Sequence, residues 1–309
     1  MALIFRTGFA RVPLWREAFR RQAPELEFRA WDEPGDINEI EFALVWKPPR
    51  GVLRGFPNLK VIFSLGAGVD HLLSDPELPA GVPVVRMIDT ELTRGMTEYV
   101  ALHVLRHHRR QRTLDALQRA GTWNMIVTPT APSRRVGIMG LGVIGGEAAR
   151  MLTAVGFDVA GWSRTPKHLD GVTSFHGAEQ LKDLARRTDI LVCILPKTPQ
   201  TAGILNADLF AKLPRGASLI NAGRGDQLVE QDLLAALESG QISQATLDVF
   251  RTEPLPEDHK FWRHPKVTVT PHSAGDPFAD SAAATVAENI QRFRRGEKLP
   301  HLFDRRAGY

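Results

Sequence analysis

The 309-residue sequence predicts an α/β protein with two doubly wound parallel-sheet domains separated by a cleft. Three observations carry that prediction. Short apolar runs such as Val61–Ser64, Ile190–Leu195 and Ser218–Asn221 alternate with helical segments, the pattern of parallel sheets covered on both faces. The run Gly140-Leu141-Gly142-Val143-Ile144-Gly145 lies in mid-chain directly after an apolar strand, so a second α/β unit starts there. Thr97–Arg119, free of proline and glycine, joins the two strand sets and reads as one interdomain helix.

In chain order, the first set has strand candidates at Ala2–Phe5, Ala43–Trp46, Val61–Ser64 and Val84–Met87. The second has Val136–Met139, Val159–Trp162, Ile190–Leu195, Ser218–Asn221, Ala245–Val249 and Val267–Thr270. Helical signals intervene at Gln180–Arg187, Ala207–Lys212 and Glu230–Ser239, the last with Leu233, Leu234 and Leu237 on one stripe. A closing helix near Asp280–Arg295 returns to the first domain. The expected division is 1–95 with 280–309 as a substrate domain and 96–279 as a dinucleotide domain, with the ligand in the cleft.

Composition narrows the class. Hydrophobic residues make up 43% and charged residues 24%, the balance of an ordinary globular protein. No run approaches the roughly 20 apolar residues that span a bilayer, and Met1-Ala2-Leu3-Ile4-Phe5-Arg6 is no secretory signal. Cys193 is the single cysteine, so an intrachain disulfide is excluded and a reducing cytoplasm is the expected location. The net charge of +4 is modest. The basic cluster Arg106-His107-His108-Arg109-Arg110-Gln111-Arg112 lacks interleaved aromatics and reads as a solvated or interface helix face, so no nucleic-acid partner is expected.

The glycine run supplies what a pyrophosphate needs. Gly140 makes the tight turn, Gly142 lets the backbone approach phosphate, and Gly145 lets the following helix pack on the strand. The helix N-terminus then presents unpaired N–H groups to the anion. An NAD-type site carries an acid about 20 residues on, at the end of the second strand. Here Ser163 stands at that place and Arg164 follows. Asp158, the only nearby acid, lies at the wrong end of the strand, more than ~10 Å away at ~3.3 Å per residue. A hydroxyl and a guanidinium suit a 2′-phosphate. NADP(H) is therefore the expected cofactor, with NAD(H) possible.

Three further segments fall at strand ends, where ligands bind in open α/β sheets. Asn221-Ala222-Gly223-Arg224-Gly225 sets an arginine in a glycine-flanked turn. Asp248-Val249-Phe250-Arg251-Thr252-Glu253-Pro254 carries an acidic loop, and Pro271-His272-Ser273-Ala274-Gly275 a histidine before small residues. With Ser64-Leu65-Gly66-Ala67-Gly68-Val69-Asp70, the Glu98 helix, Arg119-Ala120-Gly121-Thr122-Trp123 and Leu195-Pro196-Lys197-Thr198-Pro199, these motifs make the chain resemble the D-2-hydroxyacid dehydrogenase family nearly end to end. Val45-Trp46-Lys47-Pro48-Pro49, Ser163-Arg164-Thr165 and the closing Asp304-Arg305-Arg306-Ala307-Gly308-Tyr309 are similar to its branch that reduces glyoxylate and hydroxypyruvate.

The resemblance implies a flavodoxin-like substrate domain, a Rossmann dinucleotide domain and a homodimer. It implies His272 as general acid, Glu253 as the carboxylate that fixes the imidazole tautomer, and Arg224 as the grip on substrate carboxylate and keto oxygen. It implies that Ala67, Gly68 and Val69 offer N–H groups to that carboxylate, and that Trp46 closes the small substrate pocket or packs in the core. It extends the cofactor set to Val143, Ile144, Thr165, Leu195, Pro196, Ala222, Gly223, Ala274 and His272, with Asp248 orienting the nicotinamide carboxamide. No metal is implied, since arginine and imidazolium supply the positive charge. Two other readings stay open: another chemistry on the same scaffold, such as phosphite oxidation or another 2-hydroxy acid, and a non-catalytic NAD(P)-sensing binding protein.

Overall fold

A computed structural model describes residues 1–8 and 12–305, in two compact units. One comprises Met1–Leu92 and the chain from Asp276 onward; the other is Thr93–Gly275. The sequence signature Arg306-Ala307-Gly308-Tyr309 lies outside the described residues.

The first unit runs through β1 (Ala2–Arg6), α1 (Val12–Gln22), β2 (Glu27–Ala30), β3 (Ile40–Val45), β4 (Val61–Ser64), α2 (Asp70–Leu73) and β5 (Val84–Val85). Helix α3 (Thr90–His108) contains the boundary. The second unit follows with α4 (Gln111–Arg119), β6 (Arg135–Met139), α5 (Val143–Val155), β7 (Asp158–Ser163), β8 (Val172–His176), α6 (Gly177–Arg186) and β9 (Ile190–Cys193). It continues with α7 (Ala207–Phe210), β10 (Ala217–Asn221), α8 (Glu230–Ser239), β11 (Ile242–Leu247) and β12 (Val267–Val269). Helix α9 (Ala279–Arg294) belongs to the first unit, packs along α1 and pairs its Asp280 with Arg21.

Both sheets are parallel, as the sequence predicts. The first has order β2-β1-β3-β4-β5 and the second β12-β11-β10-β9-β6-β7-β8. These are the flavodoxin-like and Rossmann orders, which reverse between β1 and β3 and between β6 and β9. The strands β4, β9 and β10 are buried along their whole length, which is why they read as continuous apolar runs. In the second unit Leu191, Cys193, Leu219, Leu233, Leu237 and Phe261 form one core on one side of the sheet. Val100, Val104, Ile138, Leu152 and Ile220 form another. Each such side chain, fully buried, contributes about 1.5–3 kcal/mol. Among the described residues, no helix is long and apolar enough to cross a membrane.

The structure corrects the single helix expected over Thr97–Arg119. Helix α3 starts at Thr90, runs through Gly95 and ends at His108, and α4 begins at Gln111 after Arg110 takes a left-handed φ of 54°. Tertiary contacts impose the break. His107 and His108 are drawn into the core, His107 onto the Thr246 hydroxyl at 3.1 Å and His108 edge-on to Phe157. Arg112 is tied to His264 O and Thr268 Oγ1, both at 3.1 Å or closer. Bending at a non-glycine residue costs about 1–2 kcal/mol, which those contacts offset. The basic cluster is accordingly split: its arginines keep partial or full exposure while both histidines are buried. Burial holds His107 neutral, its pKa lowered to about 3. Strands β2 and β8, both at sheet edges, and helix α1 had no counterpart among the predicted elements.

Candidate functional site

The glycine turn follows β6 at the point where the second sheet reverses its strand order. Gly140 N–H donates to Trp162 O at 2.8 Å, joining the turn to the end of β7. A Cβ on Gly145 would stand 1.7 Å from Gly140 O, so only glycine admits this approach of helix to turn. A Cβ on Gly142, by contrast, would meet nothing within 4 Å. Gly142 caps α5 with no side chain, and the first-turn N–H groups, those of Val143, Ile144 and Gly145, lack intrahelical acceptors. Open space over a capless helix N-terminus fits a pyrophosphate.

At the end of β7, Ser163 Oγ donates to Thr165 O at 2.7 Å and closes a short turn, while Arg164 and Thr165 are exposed. The Ser163 hydroxyl hydrogen is thus directed to that carbonyl, and Arg164 and Thr165 present exposed polar side chains beside it. Asp158 pairs with Arg135 across β6 and β7, at the opposite end of the strand, and accepts from Arg187 at 2.5 Å. It is therefore remote from this turn, in agreement with the strand count.

Arg224 follows β10. Its backbone N–H donates to Gln227 Oε1 at 2.9 Å, and its Nη1 to Gly223 O at 2.8 Å. Gln227 is fully buried and also donates through Nε2 to Leu195 O at 2.8 Å and Pro196 O at 3.1 Å. One amide thus braces the arginine turn against the Leu195–Pro196 turn that follows β9. Asn221 adds to it, accepting from Gly223 N–H and donating to Arg224 O, each at 3.2 Å. Ala222 is buried beneath the turn. Cys193 is wholly buried, and burial pushes its thiol up to about 12, so it stays protonated.

The loops after β11 and β12 bring Glu253 and His272 together. Glu253 Oε2 accepts from His272 Nδ1 at 2.9 Å, and Glu253 Oε1 accepts from Phe250 N–H at 3.0 Å. A carboxylate partner places the ring hydrogen on Nδ1 and makes Nε2 the nitrogen for proton transfer. The His272 side chain is 34% exposed against 22% for Glu253, so the acid lies behind the imidazole. Asp248 is 1% exposed and accepts from Ser273 N–H and Ala274 N–H at 2.9 and 3.0 Å.

In the first unit, the turn after β4 is shaped by Ser64, whose Oγ donates to Gly68 O at 2.9 Å. The N–H groups of Ala67 and Gly68 meet no acceptor among the described residues. Trp46 lies over this turn: a Cβ on Gly66 would come within 2.8 Å of its Cζ3. The indole also packs on the His71 ring, with centroids 4.3 Å apart. The predicted residues therefore fall into two groups, Trp46 and Ala67–Val69 in the first unit and the rest in the second. Gln227, Thr270 and Tyr99 were given no role from sequence. Gln227 alone left a local trace, a capping-box spacing from Arg224.

A seven-stranded Rossmann sheet with a glycine turn at its switch point is a dinucleotide-binding domain. The family model "D-isomer specific 2-hydroxyacid dehydrogenase, NAD binding domain" matches residues 101–274. Glyoxylate/hydroxypyruvate reductase A of Serratia proteamaculans (strain 568) is 45% identical to this chain, each covered over 100% of its length. A crystal structure of a D-isomer specific 2-hydroxyacid dehydrogenase from Xanthobacter autotrophicus Py2, in complex with NADPH and MES, superimposes with a TM-score of 0.96 at 44% identity, over 100% of this chain and 99% of that one. An NADPH-dependent glyoxylate/hydroxypyruvate reductase from Sinorhizobium meliloti, in complex with NADP and sulfate, gives 0.94 at 42% identity, with the same coverage. The chain belongs to the D-isomer specific 2-hydroxyacid dehydrogenase family and is an NAD(P)-dependent oxidoreductase.

Proposed function

We propose that this chain reduces small 2-oxo acids to 2-hydroxy acids, with glyoxylate and hydroxypyruvate as leading substrates and NADPH preferred to NADH. The observation that carries the reading is the His272–Glu253 pair at 2.9 Å, built from the loops after β12 and β11, on the side of the sheet next to β10, which leads to Arg224. The second unit takes the role of dinucleotide domain and the first that of substrate domain. When bound, the reduced nicotinamide supplies the hydride that the keto carbon accepts.

His272 donates a proton from Nε2 to the carbonyl oxygen as that carbon is reduced, and Glu253 steadies the ring through Nδ1. Arg224 stabilises the charge growing on the oxygen and holds the substrate carboxylate. The N–H groups of Ala67, Gly68 and Val69 form a backbone nest for a substrate carboxylate, with Trp46 as one wall. Arg164 and Thr165 receive the 2′-phosphate at the turn that Ser163 closes, and Asp248 orients the carboxamide. Leu195, Pro196, Ala222, Gly223 and Ala274 border the cofactor. The exposed Trp123, Met125 and Val127, at 101%, 83% and 81%, support a homodimer that covers them. The single cysteine, Cys193, reduced and buried, supports a cytoplasmic protein.

Initial rates of NADPH or NADH oxidation across glyoxylate, hydroxypyruvate and pyruvate, with NADP reduction by phosphite alongside, test the reading. Both leading substrates are expected to turn over, with NADPH favoured at least about tenfold, since a charge-assisted hydrogen bond contributes about 1.5–3 kcal/mol. Turnover of phosphite alone would move the chain to the other chemistry. No turnover of any kind would move it to the binding-protein class.

A further inference from the structure

We propose that Asp248, Thr270 and Tyr99 form a positioning relay that holds the His272 turn in its reactive geometry. The inference rests on the reading of His272 as the general acid. His272 has a φ of 53°, a left-handed conformation that side chains rarely adopt unless neighbours impose it. The imposing contacts converge on one buried residue. Asp248 O accepts from His272 N–H at 2.8 Å, Oδ1 from Ser273 N–H at 2.9 Å, and Oδ2 from Ala274 N–H at 3.0 Å. Three consecutive N–H groups of the turn are thus held by one aspartate that is 1% exposed.

The carboxylate is itself aimed by Thr270, whose Oγ1 donates to Asp248 Oδ1 at 2.6 Å. Tyr99 OH lies 2.7 Å from the same Oγ1. A carboxylate only accepts, so the single Thr270 hydrogen goes to Asp248 and Tyr99 must be the donor to Thr270. Burial, and then the charge of Asp248, push the Tyr99 phenol above its ordinary value, so it keeps the hydrogen that this order needs. The relay runs from α3 through the end of β12 to the loop bearing the histidine. Helix α3 also backs that loop directly: a Cβ on Gly95 would lie 3.8 Å from Gly275 Cα. None of the three residues need touch a reacting atom. Thr270 and Tyr99, and Asp248 apart from its bond to the carboxamide, act through the backbone that sets where the imidazole stands.

Full-length Thr270→Val, Thr270→Ser and Tyr99→Phe test this by kcat, KM for glyoxylate, the NADPH dissociation constant, and amide hydrogen exchange over 271–275. Thr270→Val should lower kcat about 10–100-fold, with KM and NADPH affinity within about twofold, because misplacement of an acid costs the chemical step rather than binding. Thr270→Ser should restore most of the rate. Tyr99→Phe should lower kcat by about two- to tenfold, the scale of one hydrogen bond. It carries the test should the valine variant fold poorly. Exchange over 271–275 should quicken in Thr270→Val and not in Thr270→Ser. The relay is overturned if Thr270→Val keeps wild-type kcat, if Thr270→Ser is equally impaired, or if NADPH affinity falls as far as kcat. If the wild-type chain itself does not turn over, the reductase reading fails. The exchange experiment then decides the relay alone, unchanged exchange counting against it.

Discussion

The two units present their polar groups in opposite ways. In the first, the turn after β4 offers backbone N–H groups of Ala67 and Gly68, with the Trp46 indole lying over Gly66. In the second, beside the backbone N–H groups at the start of α5, the groups in the loops after β10, β11 and β12 are side chains held by others: Arg224 by Gln227 and Gly223, His272 by Glu253, the His272 turn by Asp248. The difference follows from the chemistry assigned to each. Binding a carboxylate needs N–H directions, which a turn fixes without any side chain. Moving a proton needs a titratable ring in one tautomer and one place.

Breaking the second unit's site should therefore cost rate, and breaking the first unit's turn should cost binding. His272→Ala should lower kcat by about 10²–10⁴-fold, with NADPH affinity, read by fluorescence titration, unchanged. An unchanged kcat would remove the histidine from proton transfer. Gly66→Ala inserts a Cβ 2.8 Å from Trp46 Cζ3 and must displace the indole. Its expected effect is a KM for glyoxylate raised about tenfold with kcat less affected, the mark of lost uniform binding. A fall in kcat at constant KM would erase the contrast between the units. Arg164→Ala sharpens the comparison inside the second unit, where binding and chemistry coexist. NADPH affinity should fall about tenfold, the scale of one charge-assisted bond, while NADH affinity holds. Equal losses would show that Arg164 does not meet the 2′-phosphate.

Sequence legibility followed the same divide between local and long-range constraint. The glycine turn was legible because Gly145 approaches Gly140 O too closely for any side chain, a demand that leaves glycine in the sequence. Arg224, Glu253 and His272 stood out as candidates because each lies in the loop after a strand and is a residue type suited to charge or proton transfer. Gln227, Thr270 and Tyr99 were not, because their effect lies in partners remote in the chain. Tyr99 and Thr270 are 171 positions apart, and Gln227 reaches Leu195 across 32. The break at Arg110 was hidden for the same reason: nothing local stops a helix there, and contacts from Thr246 and the 264–268 segment do. The edge strand β8 lacks a fully buried residue, so it carries no apolar run to read.

The most direct test of the account is the initial rate of NADPH oxidation by the purified chain with glyoxylate or hydroxypyruvate, followed alongside the 2-hydroxy acid formed. Oxidation is expected with both acids, with one hydroxy acid formed per NADPH consumed and a lower rate with NADH. NADPH left unoxidised by every 2-oxo acid offered would contradict it.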